Sequence, residues 1–373
     1  MLLDVYAQID VEPVSASGCW IDAADGRRYL DFYGGHAVAL LGHSEPELLA
    51  VLHEQARTLW FQSNAVPMAV RDRAARALLH LAPPGLTRAF FVNSGGEANE
   101  NALRVALRVT GRQKVVALEG AFHGRTAAAA AVTAGSERWT GFAPPFEVVR
   151  IPFDDRRALD AAVDEQTAAV ILEPVQGVAG ARALSHEFLV DARRVTRTRG
   201  ARLIADEVQC GMGRTGIPFA IAAAGVCPDL MTLAKGLAGG FPAGALLINE
   251  ADAARLVKGD LGTTFGGGPM ACALIEAVAT RVASPALLDN VRRLSGRLRA
   301  EACVGPVQAV QGLGFLLGLR TTRPAREVLS ELRARGILAG GAADPQIVRL
   351  LPPLVLEDEH VDALVNALAE LPG

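Results

Sequence analysis

A chain of 373 residues, half of them apolar, with 21% charged and a formal net charge of −3, is sized for about two domains with a full core. That balance carries no basic footprint for nucleic acid or an acidic membrane, no apolar run reaches the roughly 18 residues of a membrane span, and the start MLLDVYAQIDVEP lacks the basic and apolar segments of a leader. Five scattered cysteines (Cys19, Cys210, Cys227, Cys272 and Cys303) make no C-x-x-C pair and suit neither a disulfide framework nor a zinc site, so a reduced, cytoplasmic setting is expected.

In chain order, CWIDAADGRRYLDF predicts a hairpin turning at Asp25-Gly26. Short apolar runs then alternate with helical patterns: RAFFVN (88–93), KVVAL (114–118), AAVILE (168–173), ARLIAD (201–206), LMTLA (230–234) and AGALLI (243–248). Buried strands alternating with helices predict an α/β fold, a mostly parallel sheet flanked by helices, in a large domain over 44–256. Helical periods follow near 270–282 and 285–302, strands at VQAVQ and FLLGLR, and a last helix with Val361, Leu364, Val365, Leu368 and Leu371 on one face. These form a smaller α+β domain, 257–373, joined by the N-terminal segment 1–43.

Three strand ends carry chemistry. RAFFVN runs into Ser94, Gly95 and Gly96, which open a helix. Free N–H groups and the helix dipole there suit a phosphate, although Ser94 and Glu97 also have the spacing of a capping box. ARLIAD ends on Asp206, where an open sheet meets its ligands; an N-cap or an ion pair to an arginine would also satisfy it. LMTLA ends on Lys235. Lysine occurs only there and at Lys114 and Lys258, which leaves 34 arginines among 37 basic residues. A partly desolvated lysine can attack a carbonyl, which arginine cannot; a solvated surface lysine is the plain alternative, and it is the reading for Lys114 and Lys258.

A phosphate cradle, an acid and an amine on neighbouring strand ends converge on one cofactor, pyridoxal 5'-phosphate, whose aldehyde, ring nitrogen and phosphate they would serve. The strings NSGGEANENAL, AFHGRT, EPVQG, ADEVQCGMGRTG, LAKGLAGGFPAGALL and GTTFGGGPMAC resemble, in order and spacing, the class III aminotransferases of fold type I, nearest the acetylornithine and succinylornithine branch. The likeness runs from YLDFYGGHAVALLGH to IVRLLPPL. It implies that Lys235 bears the cofactor and shuttles the proton, that Asp206 pairs with the ring nitrogen, and that Gln209 bonds the phenolic oxygen. It further implies that Phe122 stacks on the ring and that Ser94, Gly95 and Gly96 hold the phosphate. Thr264 would reach that phosphate from a partner subunit, so a homodimer with shared sites is expected. Of the arginines, Arg125 would take the substrate carboxylate and Arg349 the α-carboxylate of glutamate or 2-oxoglutarate, as a planar guanidinium can; Thr263 is a further substrate-side residue.

The chain departs from many relatives in one place. Where they carry a glutamate after EPxQG that pairs with the second arginine, this chain has Val178. The reaction implied is transfer of the terminal amino group of an N-acylornithine to 2-oxoglutarate, in arginine biosynthesis. Other donors, namely ornithine, 4-aminobutyrate or an aminoadipate semialdehyde derivative of the lysine pathway, are the alternative, followed by an aminomutase or racemase and by a non-catalytic binding protein.

Overall fold

The computed structural model describes residues 2–373. A seven-stranded sheet holds, side by side, Leu86–Val92, Gly244–Asn249, Leu230–Leu233, Arg202–Asp206, Thr167–Leu172, Lys114–Leu118 and Glu147–Ile151. Gly244–Asn249 lies antiparallel to both neighbours, and the remaining pairings are parallel. Every residue of Lys114–Leu118 and Thr167–Leu172 is buried. Strands covered on both faces must be apolar along their whole length, which is why these runs stand out in the sequence.

Alternate side chains feed two cores, as the period of two requires. Ile171, Ile204, Leu230 and Leu246 pack with Ala102, Leu103 and Ala106 of the helix Gly95–Thr110. Val170, Leu203, Met231 and Leu247 point the other way, toward Phe188 and Ala192 of the helix His186–Arg199. Each fully buried leucine here contributes about 1.5–3 kcal/mol relative to exposure. The helix Gly95–Thr110 starts where Ser94 Oγ accepts the Glu97 N–H at 3.2 Å, and it stops where Gly111 turns left-handed at φ 71°.

Two features differ from the sequence expectations. The edge strand Glu147–Ile151 was not among the predicted strands, because one side faces water and Glu147 and Arg150 interrupt its apolar run. Lys114 is not a solvated surface lysine: it is buried, and its Nζ meets Asp164 Oδ2 at 2.6 Å and the Ala162 carbonyl at 3.0 Å.

The hairpin at Asp25-Gly26 joins Trp20–Ala23 to Arg28–Asp31, and Leu30 pairs with Ile337 in the C-terminal part. There, Val307–Leu313, Leu316–Thr321, Ile347–Leu350 and Gly340–Gly341 form a second, antiparallel sheet. The helix Asp358–Ala369 buries Val361, Leu364 and Leu368, with Leu371 just beyond its end and Val365 half-buried. The strand Ile347–Leu350 brings Arg349 toward the C-terminal ends of the large sheet's parallel strands.

Candidate active site

Leu86–Val92, Arg202–Asp206 and Leu230–Leu233 run in one direction, so their C-terminal ends deliver Ser94, Asp206 and Lys235 to one edge of the sheet. All three line a single cavity of about 320 Å³, together with Gly95, Gly96, Phe122 and Val208. The glycines at the helix start leave N–H groups that the first helical turn cannot use. Side chains are shut out there: a Cβ on Gly95 would stand 2.8 Å from Val208 Cγ1. An anion at this helix start meets donors and the positive end of the dipole, so the cradle fits a phosphate.

Asp206 is buried and bonded on both oxygens. Its Oδ2 lies 2.7 Å from Asn99 Nδ2 and 2.7 Å from His123 Nδ1, and its Oδ1 accepts the Val208 N–H at 3.0 Å. Asn99 is itself fixed, because its Oδ1 accepts from Thr232 Oγ1 at 2.7 Å and its amide also donates to the His123 carbonyl at 2.7 Å. Opposite, Lys235 sits in the left-handed region at φ 48°, a strained place for a side chain of its size. Burial lowers the pKa of its amine, while the Asp206 and Glu173 carboxylates pull the other way. Glu173 accepts the Phe122 N–H at 2.9 Å, and burial raises its own pKa. A flat ring carrying an aldehyde, a basic nitrogen and a phosphate finds a counterpart for each on these walls.

The second arginine lies beside this cavity, reached through Gln209, and neither it nor Gln209 lines the cavity itself. Arg349 is buried, its Nη1 donates to Gln209 Oε1 at 3.2 Å, and its Nε has no protein partner. Burial lowers its pKa, opposed by Tyr33 and Glu173. Gln209 has its amide turned to Arg349 on one side and to the His36 carbonyl, at 3.4 Å, on the other. It can sit there only because residue 177 is glycine: a Cβ would fall 1.6 Å from Gln209 Oε1. Val178, next along, is half-buried and brings no charge.

Arg125 is exposed, with its guanidinium 5.0 Å from the centre of the Trp139 ring. Thr263 Oγ1 accepts from Asn93 Nδ2 at 3.3 Å and from Gly266 N at 3.1 Å. Thr264 is exposed on the same loop and is not among the residues lining this chain's cavity. Sequence reasoning missed His123, Asn99, Glu173 and His36, although each lies inside a string quoted for its neighbours. The usable signal was polarity within otherwise buried strings.

The model of the family described as "Aminotransferase class-III" matches residues 4–371. An acetylornithine aminotransferase of Streptomyces coelicolor is 43% identical over 98% of this chain and 92% of its own length. One of Methanocaldococcus jannaschii is 37% identical over 99% and 95%. Among solved structures, the N-acetylornithine aminotransferase of Stenotrophomonas maltophilia superposes with a TM-score of 0.84 at 32% identity, over 98% of this chain and 96% of that one. The ornithine aminotransferase of Toxoplasma gondii superposes at 0.91 and 28%, over 99% and 92%, in a structure reporting partial occupancy of pyridoxal phosphate at its active site. A family match along the whole chain, joined to a cavity that answers each part of the cofactor, places this chain among the class III, pyridoxal-phosphate-dependent aminotransferases.

Proposed function

We propose that this aminotransferase moves the terminal amino group of an N-acylornithine to 2-oxoglutarate, giving the acylglutamate semialdehyde and glutamate, as a step of arginine biosynthesis. N-acetylornithine is the first choice of donor and N-succinylornithine the second. The observation that carries this reading is the set of relatives named acetylornithine aminotransferase, from 43% identity downward, aligned over nearly the whole chain.

Bound in the cavity, pyridoxal phosphate supplies a carbonyl that condenses with amines and a protonated ring that accepts the electrons of a breaking C–H bond. The protein does the rest. Lys235 Nζ, made less basic by burial, takes the proton from the donor's reacting carbon and delivers it again. Asp206 would face the ring nitrogen, and Asn99, His123 and Val208 N–H keep its carboxylate from turning away. Phe122 would cover a ring face and Ser94, Gly95 and Gly96 would bind the phosphate, while Gln209 would give up its 3.4 Å bond to the His36 carbonyl to donate its amide to the phenolic oxygen. Arg125 receives the acylated donor's carboxylate at the mouth with Thr263 beside it, and Arg349 receives the α-carboxylate of the oxo acid.

The active unit in this reading is a cytoplasmic homodimer in which Thr264 completes the partner's phosphate site. Apolar surface beside that loop supports it: the Phe61 and Phe265 rings meet at a tilt with centroids 5.4 Å apart, and Trp60 and Phe265 are each 66% exposed. The five cysteines all stand free, which suits a reducing compartment. The alternative is another ω-amine, free ornithine above all. It draws on the Toxoplasma likeness and on Val178, which leaves Arg349 open to a donor's α-carboxylate.

A half-reaction screen decides between them. The holoenzyme is mixed with N-acetylornithine, N-succinylornithine, ornithine or 4-aminobutyrate alone, and cofactor absorbance is followed. N-acetylornithine should convert the cofactor fastest and stoichiometrically. Preference for ornithine or 4-aminobutyrate would reassign the donor, and no conversion with any of the four would overturn the acylornithine reading and move the donor outside this set.

A further inference from the structure

The segment Tyr33-Gly34-Gly35-His36-Ala37-Val38 folds in a way L-residues avoid. Gly34, Gly35, His36 and Ala37 have φ of 55°, 55°, 65° and 70° in succession, and the Val38 N–H donates to the Gly34 carbonyl at 2.7 Å. This is a whole left-handed turn. Each L-residue in it costs about 1–2 kcal/mol, so the surroundings must hold His36 and Ala37 in place. On one side, buried Asp31 accepts the N–H groups of Tyr33 and Gly34, each at 2.8 Å, while its other oxygen lies 2.7 Å from His43 Nε2. On the other, Leu351 N donates to the Phe32 carbonyl and Leu354 N to the Leu40 carbonyl, each at 2.7 Å. Gly34 packs so closely that a Cβ would stand 2.5 Å from the Leu351 carbonyl oxygen. Leu351 follows the strand that carries Arg349, so the turn and that arginine are held in register.

The residue this turn presents is His36. Gln209 ties its carbonyl to Arg349 through the two ends of one amide. Its ring meets the Tyr33 ring edge-on at 4.7 Å, so that one side is covered while the residue as a whole keeps contact with solvent. The charges that act on it are Arg349, from the strand Ile347–Leu350 and linked to the His36 carbonyl through Gln209, and Lys235, from the loop after Leu230–Leu233, with titratable Tyr33 in its own turn. Asp31 and His43, at the foot of the turn, pair with each other. No carboxylate is among the causes acting on the imidazole, and burial, Arg349 and Lys235 all lower its pKa.

We propose that His36 is a specificity-determining residue of the Arg349 site, pairing with a carboxylate of the bound dicarboxylate and taking up one proton from solvent as it does so. The proposal rests on the assignment of Arg349 made above. Strain supports it, because the fold holds both His36 and Ala37 in a left-handed turn beside the arginine. Val178 supports it as well: with no acidic residue after EPVQG, the charge that balances Arg349 arrives with the substrate. The sign follows from linkage. A dianion beside His36 raises a pKa that the empty site depresses, so between those two values binding takes up a proton and affinity falls as pH rises.

The test uses the holoenzyme and glutarate, a dicarboxylate with no group to react. Calorimetry at several pH values, in buffers of different ionisation heat, gives both the dissociation constant and the proton count. Wild type is compared with His36→Asn and His36→Gly, both of which tolerate left-handed backbone, and with Arg349→Ala. Wild type should take up more proton per glutarate than either His36 variant. Its dissociation constant should weaken with pH by up to about tenfold per unit, while the variants give a flatter slope. Protons exchanged by Lys235 or the cofactor occur in wild type and variants alike and cancel in the comparison. Equal proton uptake and equal slopes in wild type and both His36 variants would overturn the proposal while leaving Arg349 in place. Glutarate binding as tightly to Arg349→Ala as to wild type would instead remove the Arg349 assignment, and this proposal with it.

Discussion

Around Asp206, both carboxylate oxygens have partners, and one of those partners, Asn99, is pinned in turn by Thr232. Around Arg349, a buried guanidinium meets one neutral amide, leaves Nε without a partner, and is linked through that amide to a strained turn carrying the exposed His36. The two ends of one site thus treat buried charge in opposite ways. A group that stays bound is best met by fixed dipoles, which need no rearrangement during reaction. An anion that enters and leaves is better met by a charge left short of partners, since burying an arginine this way is costly until the anion arrives. The Asp206 carboxylate has partners on both oxygens without substrate, although His123 Nε2 behind it has none, whereas the Arg349 guanidinium itself is left short.

Substitutions at the two ends should therefore fail differently. Lys235→Ala removes the lysine amine from the cavity and should lower turnover by at least about a thousandfold, with loss of covalent borohydride labelling by the cofactor. Asp206→Asn keeps the shape but loses the charge proposed to face the ring nitrogen. Turnover should fall by roughly a hundredfold or more in both half-reactions, measured separately by rapid mixing. Val178→Glu would give Arg349 a resident carboxylate. The KM for 2-oxoglutarate should rise by roughly tenfold in steady-state assays, with the effect on N-acetylornithine smaller.

The smallest effect concerns stability alone. Glu207, buried behind Asp206, accepts the Ile221 N–H at 2.7 Å and the Cys210 thiol at 3.2 Å, and burial pushes its pKa from 4.5 to about 7. The folded protein then holds this proton more tightly than the unfolded chain. Its contribution is present below about 4.5 and is lost as pH rises through about 7. Thermal melts between pH 5 and 8 should show Glu207→Gln with a flatter decline than wild type.

How much of this was legible in the sequence depended on how local the cause was. The five interior strands were readable because burial on both faces demands unbroken apolar runs, the edge strand Leu86–Val92 through the apolar stretch that ends it, and Asp206 and Lys235 because a polar residue closes such a run. Glu147–Ile151 escaped notice because an edge strand needs to be apolar on only one side. Lys114 was misread because its partner, Asp164, lies 50 positions away. His123 stood in a quoted string, yet its contact with Asp206 spans 83 positions, and the Arg349–Gln209 contact spans 140. The left-handed turn at Gly34–Ala37 looks in sequence like any glycine-rich loop. What makes it special is the segment around Leu351, which no local pattern announces.

The contrast between the two ends is tested most directly by the half-reactions of Arg349→Ala, measured by rapid mixing of each cofactor form with one substrate at a time. The account predicts that the 2-oxoglutarate half-reaction loses at least tenfold more efficiency than the N-acetylornithine half-reaction, in line with removal of a two-point carboxylate contact. Equal losses in the two half-reactions would contradict it.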